Sequence, residues 1–264
     1  MPHETYLFID GAYLRKVVDE YMQQMFGVPA AINYDALRNV APNIRRVFYY
    51  DCLNDIQKDG ESHADFDARV DAQQASFDAI QSLNGFHVRL GSLSGRGRKL
   101  RQKKIDVLLA VEALDHAFRK NVEQICLIAG DLDFAPLVDS LIRLGTYVRI
   151  LYHPRSASRG LYSAADMGRP IGFHDAYNWA TEEFRKQHPI PTCNSFGGYA
   201  GPPTANPPIK KGIVRGRHVE LHKRGNTFCL YIRSWDPHSL IAEFSDSDTL
   251  EKYFAVVYAP IEWQ

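Results

Sequence analysis

Residues 125–145 read ICLIAGDLDFAPLVDSLIRLG, and the rest of the chain is organised around this stretch. Ile125 to Ala129 is a short continuous apolar run, the pattern of a parallel strand covered on both faces. It stops at Gly130, two aspartates follow, and Phe134, Leu137, Val138, Leu141, Ile142 and Leu144 then recur at helical spacing until Gly145. The stretch predicts strand, acidic turn, helix. Asp133 is expected as the helix N-cap, with Pro136 tolerated in the first turn. On that reading Asp131 has no local structural task. Two carboxylates so close at a strand end repel unless a cation or a proton comes between them. A doubly capped helix is the plain alternative, and a hard divalent metal site is the functional one.

Outward from this stretch the same logic repeats. Tyr6 to Ile9 is a strand ending in Asp10-Gly11, followed by a helix through Leu14, Val17, Val18, Met22 and Met25. Further strands are expected at Arg46–Asp51, Phe86–Leu90 and Tyr147–Leu151, the last ending the parallel set. Helices are expected near Tyr34–Val40, over Asp65–Leu83, over Asp106–Arg119 and from Asp175 to Lys186. The helix from Asp106 is expected to bury Val107, Leu108, Val111, Leu114 and Phe118. Alternating strands and helices predict an α/β fold with a parallel sheet, in which right-handed crossovers bring every strand's carboxyl end to one edge. Asp10, Asp131 and Asp133 would meet there. Asp106 joins them if a strand runs directly into its helix.

The 264 residues carry 31 Lys or Arg and 31 Asp or Glu, a formal net charge of zero, so no global charge selects a polyanionic partner. The distribution does. The segment GSLSGRGRKLRQKK (residues 91–104) is expected as a mobile loop and carries Arg96, Arg98, Lys99, Arg101, Lys103 and Lys104 with no acidic residue. Beside an acidic site it is expected to contact nucleic acid. Arg155 and Arg159, after the strand at Tyr147–Leu151, are candidate phosphate contacts, although a polar loop there is more often just solvated. Four scattered cysteines without a CxxC pair exclude a zinc ribbon or a disulfide framework. No apolar run is long enough to cross a bilayer, and the N-terminus lacks signal-peptide features, so no membrane partner and a cytoplasmic location are expected.

Residues 1–187 read as one domain and 188–212, dense in proline and glycine, as a linker. Residues 213–264 read as a small β-rich domain, with a hairpin at Arg224-Gly225-Asn226, a short helix near Asp248–Tyr253 and a strand at Ala255–Tyr258. Its Phe228, Tyr231 and Trp235 could stack bases but are more often core. This domain could carry self-association or a protein partner.

The segments LFIDGAYL (Leu7–Leu14), KKIDVLLAVEAL (Lys103–Leu114) and AGDLDFAPLVDSLIRLG (Ala129–Gly145) resemble the NYN domain family, in particular its LabA-like branch within the PIN-like nuclease superfamily. The resemblance spans roughly residues 5 to 170. It implies a PIN-like three-layer α/β/α fold and a metal-dependent ribonuclease site using Mg2+ or Mn2+, onto whose acidic positions Asp10, Asp106, Asp131 and Asp133 map. This chain departs from the family at Leu132, where a small residue is usual, at Tyr13, where asparagine is frequent, and at Glu112, where aspartate is frequent. Glu112 is expected to face away from Asp106 as a surface residue, and His116 to be structural or exposed. The sequence thus predicts a metal-dependent ribonuclease, or else a non-catalytic RNA-binding or regulatory adaptor that retains the acidic pocket.

Overall fold

The computed structural model describes residues 4–94, 101–103, 105–197, 206–232 and 238–264. They form two compact units, one of residues 1–18 and 32–179 and the other of residues 19–31 and 180–264.

The first unit opens with strand β1 (Thr5–Asp10), which is almost wholly buried, and runs without a loop into helix α1 (Gly11–Phe26). A 3-10 turn over Tyr34–Val40 leads to strand β2 (Ile44–Cys52), helix α2 (His63–Gln81) and strand β3 (Phe86–Ser94). Helix α2 starts at Ser62, whose hydroxyl accepts from the Asp65 N–H at 3.1 Å. After β3 come strand β4 (Arg101–Lys103), helix α3 (Ile105–Phe118) and strand β5 (Gln124–Ile128). Helix α4 (Ala135–Arg143), strand β6 (Tyr147–Tyr152), helix α5 (Arg159–Ala164), strand β7 (Met167–Pro170) and helix α6 (Phe173–Trp179) complete the unit.

The sheet order is β4-β3-β2-β1-β5-β6-β7, with every pairing parallel except that of β4 on β3. The chain leaves β1 for one side of the sheet and returns at β5 to its other side. The carboxyl ends of β1 and β5 therefore flank the switch point, where open α/β sheets carry their sites. One face of the sheet packs Phe8, Phe48, Tyr50, Leu127 and Ile150 against Leu109 and Ala113 of α3 and Leu137, Val138 and Leu141 of α4. On the other face Tyr49 meets Phe77 of α2 and Arg15 of α1. This is a three-layer α/β/α arrangement.

Several expectations are corrected here. Helix α3 buries Ile105, Leu109, Ala113 and Ala117, whereas Val107, Leu108, Val111 and Phe118 are exposed. A helix apolar all round gives no contrast by which to choose its inner face. The expected loop from Gly91 is framed by a hairpin, since β3 continues to Ser94 and pairs with β4, Ser92 opposite Lys103 and Ser94 opposite Arg101. A sixth parallel strand, β7, follows β6; a glycine and a proline among four mostly exposed edge residues hide it from pattern reading.

The helix expected over Asp175–Lys186 is two, because Thr181 caps a new one, α7 (Glu182–Gln187), accepting from the Phe184 N–H at 3.4 Å. In the second unit strand β8 (Thr192–Gly197) lies within the stretch expected as linker. Strands β9 (Lys210–Val214), β10 (Arg217–Arg224), β11 (Thr227–Ile232) and β12 (His238–Phe244) follow, then helix α8 (Ser247–Val257) and strand β13 (Glu262–Trp263). They form an antiparallel sheet in the order β13-β9-β10-β11-β12-β8. Gly225, at positive φ, turns β10 into β11 as the hairpin signal predicts. The strand expected at Ala255–Tyr258 is instead the end of α8 and the residue after it: Asp246 caps this helix, and Leu250, Tyr253 and Phe254 are buried at helical spacing. No helix among the described residues is long and apolar enough to cross a membrane.

Candidate active site

Asp10 is the last residue of β1, and its Oδ1 accepts from the Tyr13 N–H at 3.0 Å, so it also caps α1. Burial pushes its carboxyl up to about 6; the Tyr13 and Ala12 amides oppose the shift, and the neighbouring Asp106 and Asp51 add to it. Asp106 stands in the first turn of α3, exposed. Strand β4 delivers it to the carboxyl edge. A β-carbon on Gly91 would lie 3.1 Å from Ile105 Cβ and 3.0 Å from Cys52 Sγ, which places the start of α3 level with the end of β2. The Asp106 carboxyl is also raised, by partial burial first and then by Asp131 and Asp133.

Asp131 and Asp133 exchange the roles expected of them. Asp131 is the N-cap of a 3-10 turn over Leu132–Phe134, its Oδ1 accepting from the Asp133 N–H at 3.0 Å. Asp133 lies inside that turn, and α4 begins after Phe134 without a side-chain cap. Among the described residues the carboxylates of Asp106 and Asp133 have no hydrogen-bond or ion-pair partner.

The four aspartates thus lie along one sheet edge: Asp10 feels the field of Asp106, and Asp106 feels those of Asp131 and Asp133. Their donors are all hard carboxylate oxygens, which suits Mg2+ or Mn2+. Among the described residues no three acidic, His or Cys side chains form a ready chelate.

The turn carrying Asp131 is fastened from two sides. The Tyr13 ring lies against Gly130, and its hydroxyl accepts from the His153 N–H at 2.7 Å. The Ser158 N–H donates to the Gly130 carbonyl at 3.0 Å. Leu132 is half exposed, and its side chain rests on Gly160, where a β-carbon would approach Leu132 Cδ1 to 2.8 Å. Arg155, on the loop after β6, and Arg159, the first residue of α5, are exposed and have no ion-pair partner among the described residues. Arg96, Arg98, Lys99 and Lys104 lie outside the described residues, while Arg101 and Lys103 are placed by their backbone in β4.

Sequence reading missed a second acidic group beside Asp10. Asp51, at the end of β2 and 1% exposed, is gripped by Arg15 through both oxygens; it also accepts from the Tyr49 hydroxyl at 2.9 Å and the Cys52 N–H at 2.8 Å. A strand ending in aspartate was the available signal. Gly11 is glycine for this cluster, since a β-carbon there would stand 2.5 Å from the Tyr49 hydroxyl and 2.6 Å from Asp51 Oδ2. Glu112 is not a free surface residue. It accepts from Arg89 Nη2 and from the Tyr50 hydroxyl, both at 2.7 Å, and so ties α3 to β2 and β3. His116 sits among the rings of Tyr6, Phe8 and Phe48. In the second unit Tyr231 is buried and Phe228 half-buried; Trp235 lies outside the described residues. A cavity of about 580 Å³ lined by Gln124, Tyr147 and Arg149 lies at the amino ends of β5 and β6, away from the acidic edge.

Comparison with known proteins gives a match to the model of the NYN domain over residues 4–171. Among solved structures, a protein of unknown function, VPA0982 from Vibrio parahaemolyticus, is 21% identical with a TM-score of 0.47, over 64% of this chain and 93% of its own. GenD2 from gentamicin A biosynthesis, in complex with NAD, is 12% identical with a TM-score of 0.29, over 92% of this chain and 73% of its own. No curated protein matches the chain.

Proposed function

Because the chain belongs to the NYN domain family, a family of PIN-like nucleases, we propose that it is a Mg2+- or Mn2+-dependent endoribonuclease. The observation that supports this reading is the placement of Asp10, Asp106, Asp131 and Asp133 along the carboxyl edge of the sheet, where Asp106 acts on Asp10 and is itself raised by Asp131 and Asp133. These four residues would hold the ion. A bound ion supplies the charge that lowers the pKa of an attacking water and offsets the leaving oxygen. Asp10, half-buried and raised to about 6, takes up a proton closer to neutral pH than an exposed aspartate does. Asp106 and Asp133, unpartnered among the described residues, are free to turn toward an ion, whereas Asp131 is fixed by its cap. Arg155 and Arg159 would meet the RNA backbone beside this edge, together with the basic residues 96–104.

The test is cleavage of mixed single-stranded RNA across a manganese titration, with exhaustive chelation as the control. Activity that survives chelation rejects the reading. A second reading, an RNA-binding or regulatory adaptor that retains the acidic pocket, is favoured by Leu132, a bulky half-exposed side chain between Asp131 and Asp133. RNA binding without cleavage at any manganese concentration would select it.

A further inference from the structure

Helix α3 is apolar on two sides, and only one faces the core. Ile105, Leu109, Ala113 and Ala117 pack inward. Val107 is 65% exposed, Val111 59% and Phe118 75%, with Leu108 beside them at 38%; Leu114, half-buried between them, also packs in part against the core. Positions 107, 111, 114 and 118 are spaced four, three and four, the alternation of a helix–helix seam. On a helix of ~3.6 residues per turn this seam lies roughly 150° from the buried stripe. A lone Val or Leu on a surface needs no explanation, but a continuous apolar seam along a whole helix does.

Charge decides what covers it. The start of α3 is acidic, with Asp106 in the field of Asp131 and Asp133. The other end is basic. Arg119 pairs with Asp115 at 2.8 Å, and Lys120 has no ion-pair partner among the described residues. A second copy packed antiparallel across a two-fold axis sets Val107 opposite Phe118 and Val111 opposite Leu114. It also sets each acidic end beside a basic one and opposes the helix dipoles. Parallel packing would set Asp106 against Asp106.

We propose that the exposed seam of α3 is the interface of a two-fold homodimer in which the two α3 helices pack antiparallel and each brings Arg119 and Lys120 beside the other's acidic edge. This holds whether or not the acidic edge cleaves RNA. A 14-residue helix is ~21 Å long, and its seam alone covers less than the roughly 800 Å² per partner of a standard interface. The dimer should therefore dissociate in the micromolar range rather than the nanomolar.

Sedimentation of the full chain should show dimers at roughly 100 µM and monomers on dilution. Val111→Asp should be monomeric throughout. Orientation is read by cysteine pairing in a Cys193→Ser background, which removes the exposed native thiol. The double variant Val107→Cys/Phe118→Cys should oxidise to a covalent dimer, and neither single variant should. Three results would overturn the proposal: a monomeric wild type at the highest concentration, a dimeric Val111→Asp, or crosslinking of the single variants as strong as that of the double. So would a Val111→Asp protein that melts well below the wild type at a dilution where both are monomers, because the seam would then be covered within the chain.

Discussion

The ring of Tyr13 lies so close to Gly130 that a β-carbon there would stand 2.7 Å from its Cζ and 3.0 Å from its hydroxyl oxygen. That hydroxyl also accepts from the His153 N–H at 2.7 Å. One side chain on α1 therefore ties together the chain as it leaves β1, β5 and β6. Gly130→Ala should evict the ring and cost about 1–3 kcal/mol. Tyr13→Phe, which loses the hydroxyl alone, should cost about 1 kcal/mol. Urea melts of the two variants check the order, and RNA cleavage should fall further in Gly130→Ala.

Capping and ion binding can be separated at Asp131 and Asp133. Asparagine caps about as well as aspartate, so Asp131→Asn should fold normally, whereas Asp131→Ala should lose about 1 kcal/mol. Asp133→Ala should stay within about 0.5 kcal/mol of the wild type, because its carboxylate has no partner to lose. All three should lose manganese-dependent cleavage. Wild-type cleavage by Asp133→Ala would remove that residue from the ligand set.

Arg15 neutralises a carboxylate that is otherwise sealed from water. Arg15→Met leaves Asp51 buried and uncompensated, which should cost about 2–4 kcal/mol, somewhat under the full buried-pair value because Arg15 is 39% exposed. The double variant Arg15→Met/Asp51→Leu should cost less than the sum of the single variants. An additive result would show that the two side chains do not act as a pair.

The tie of Glu112 to Arg89 and Tyr50 should show in the pH dependence of stability. Burial would raise the Glu112 carboxyl, but the hydrogen bonds from Arg89 and Tyr50 outweigh it and hold it below the ordinary value of 4.5. A depressed carboxyl contributes stability above its unfolded pKa and loses it as pH falls through its folded one. Glu112→Gln should therefore be about 1–3 kcal/mol less stable than the wild type at pH 7, with the gap closing below about pH 4.5. Paired melts at pH 7 and pH 3 measure the gap, and a constant difference would contradict the assignment.

Arg155, on the loop after β6, and Arg159, at the start of α5, are exposed cations on either side of the Ser158 contact that braces the acidic turn. If they meet phosphates, replacing each by alanine should weaken binding across RNA sequences and flatten the salt dependence by roughly one unit of slope. Filter binding over a salt series reads this directly, and an unchanged slope would return both residues to solvent.

Much of the first unit was legible along the chain because its elements repeat one local pattern, a buried apolar strand ending in aspartate and running into an amphipathic helix. β1 with α1, and β5 with α4, needed only that pattern. Three features were not legible, each for its own reason. β7 has a glycine and a proline among four mostly exposed residues, so it carries no strand pattern. Helix α3 has an apolar residue in almost every direction, so periodicity could not say which side faces the sheet. The cap at Asp131 rests on a 3-10 turn that shifts the start of α4 by one residue, and nothing in the order Asp-Leu-Asp distinguishes the two carboxylates.

By itself, then, the sequence determined the order of strands and helices and the presence of aspartates at the strand ends, because these follow from spacing and from the chemistry of neighbouring residues. Only the tertiary structure decided what those aspartates meet. Asp51 reaches Asp10 because β2 lies beside β1, Asp106 reaches the edge because β4 folds back on β3, and Tyr13 reaches Gly130 because β5 pairs with the far side of β1. Each of these contacts joins residues distant in the chain. Its energy depends on burial and on the field of neighbours brought in by the fold, and spacing along the chain carries no record of either.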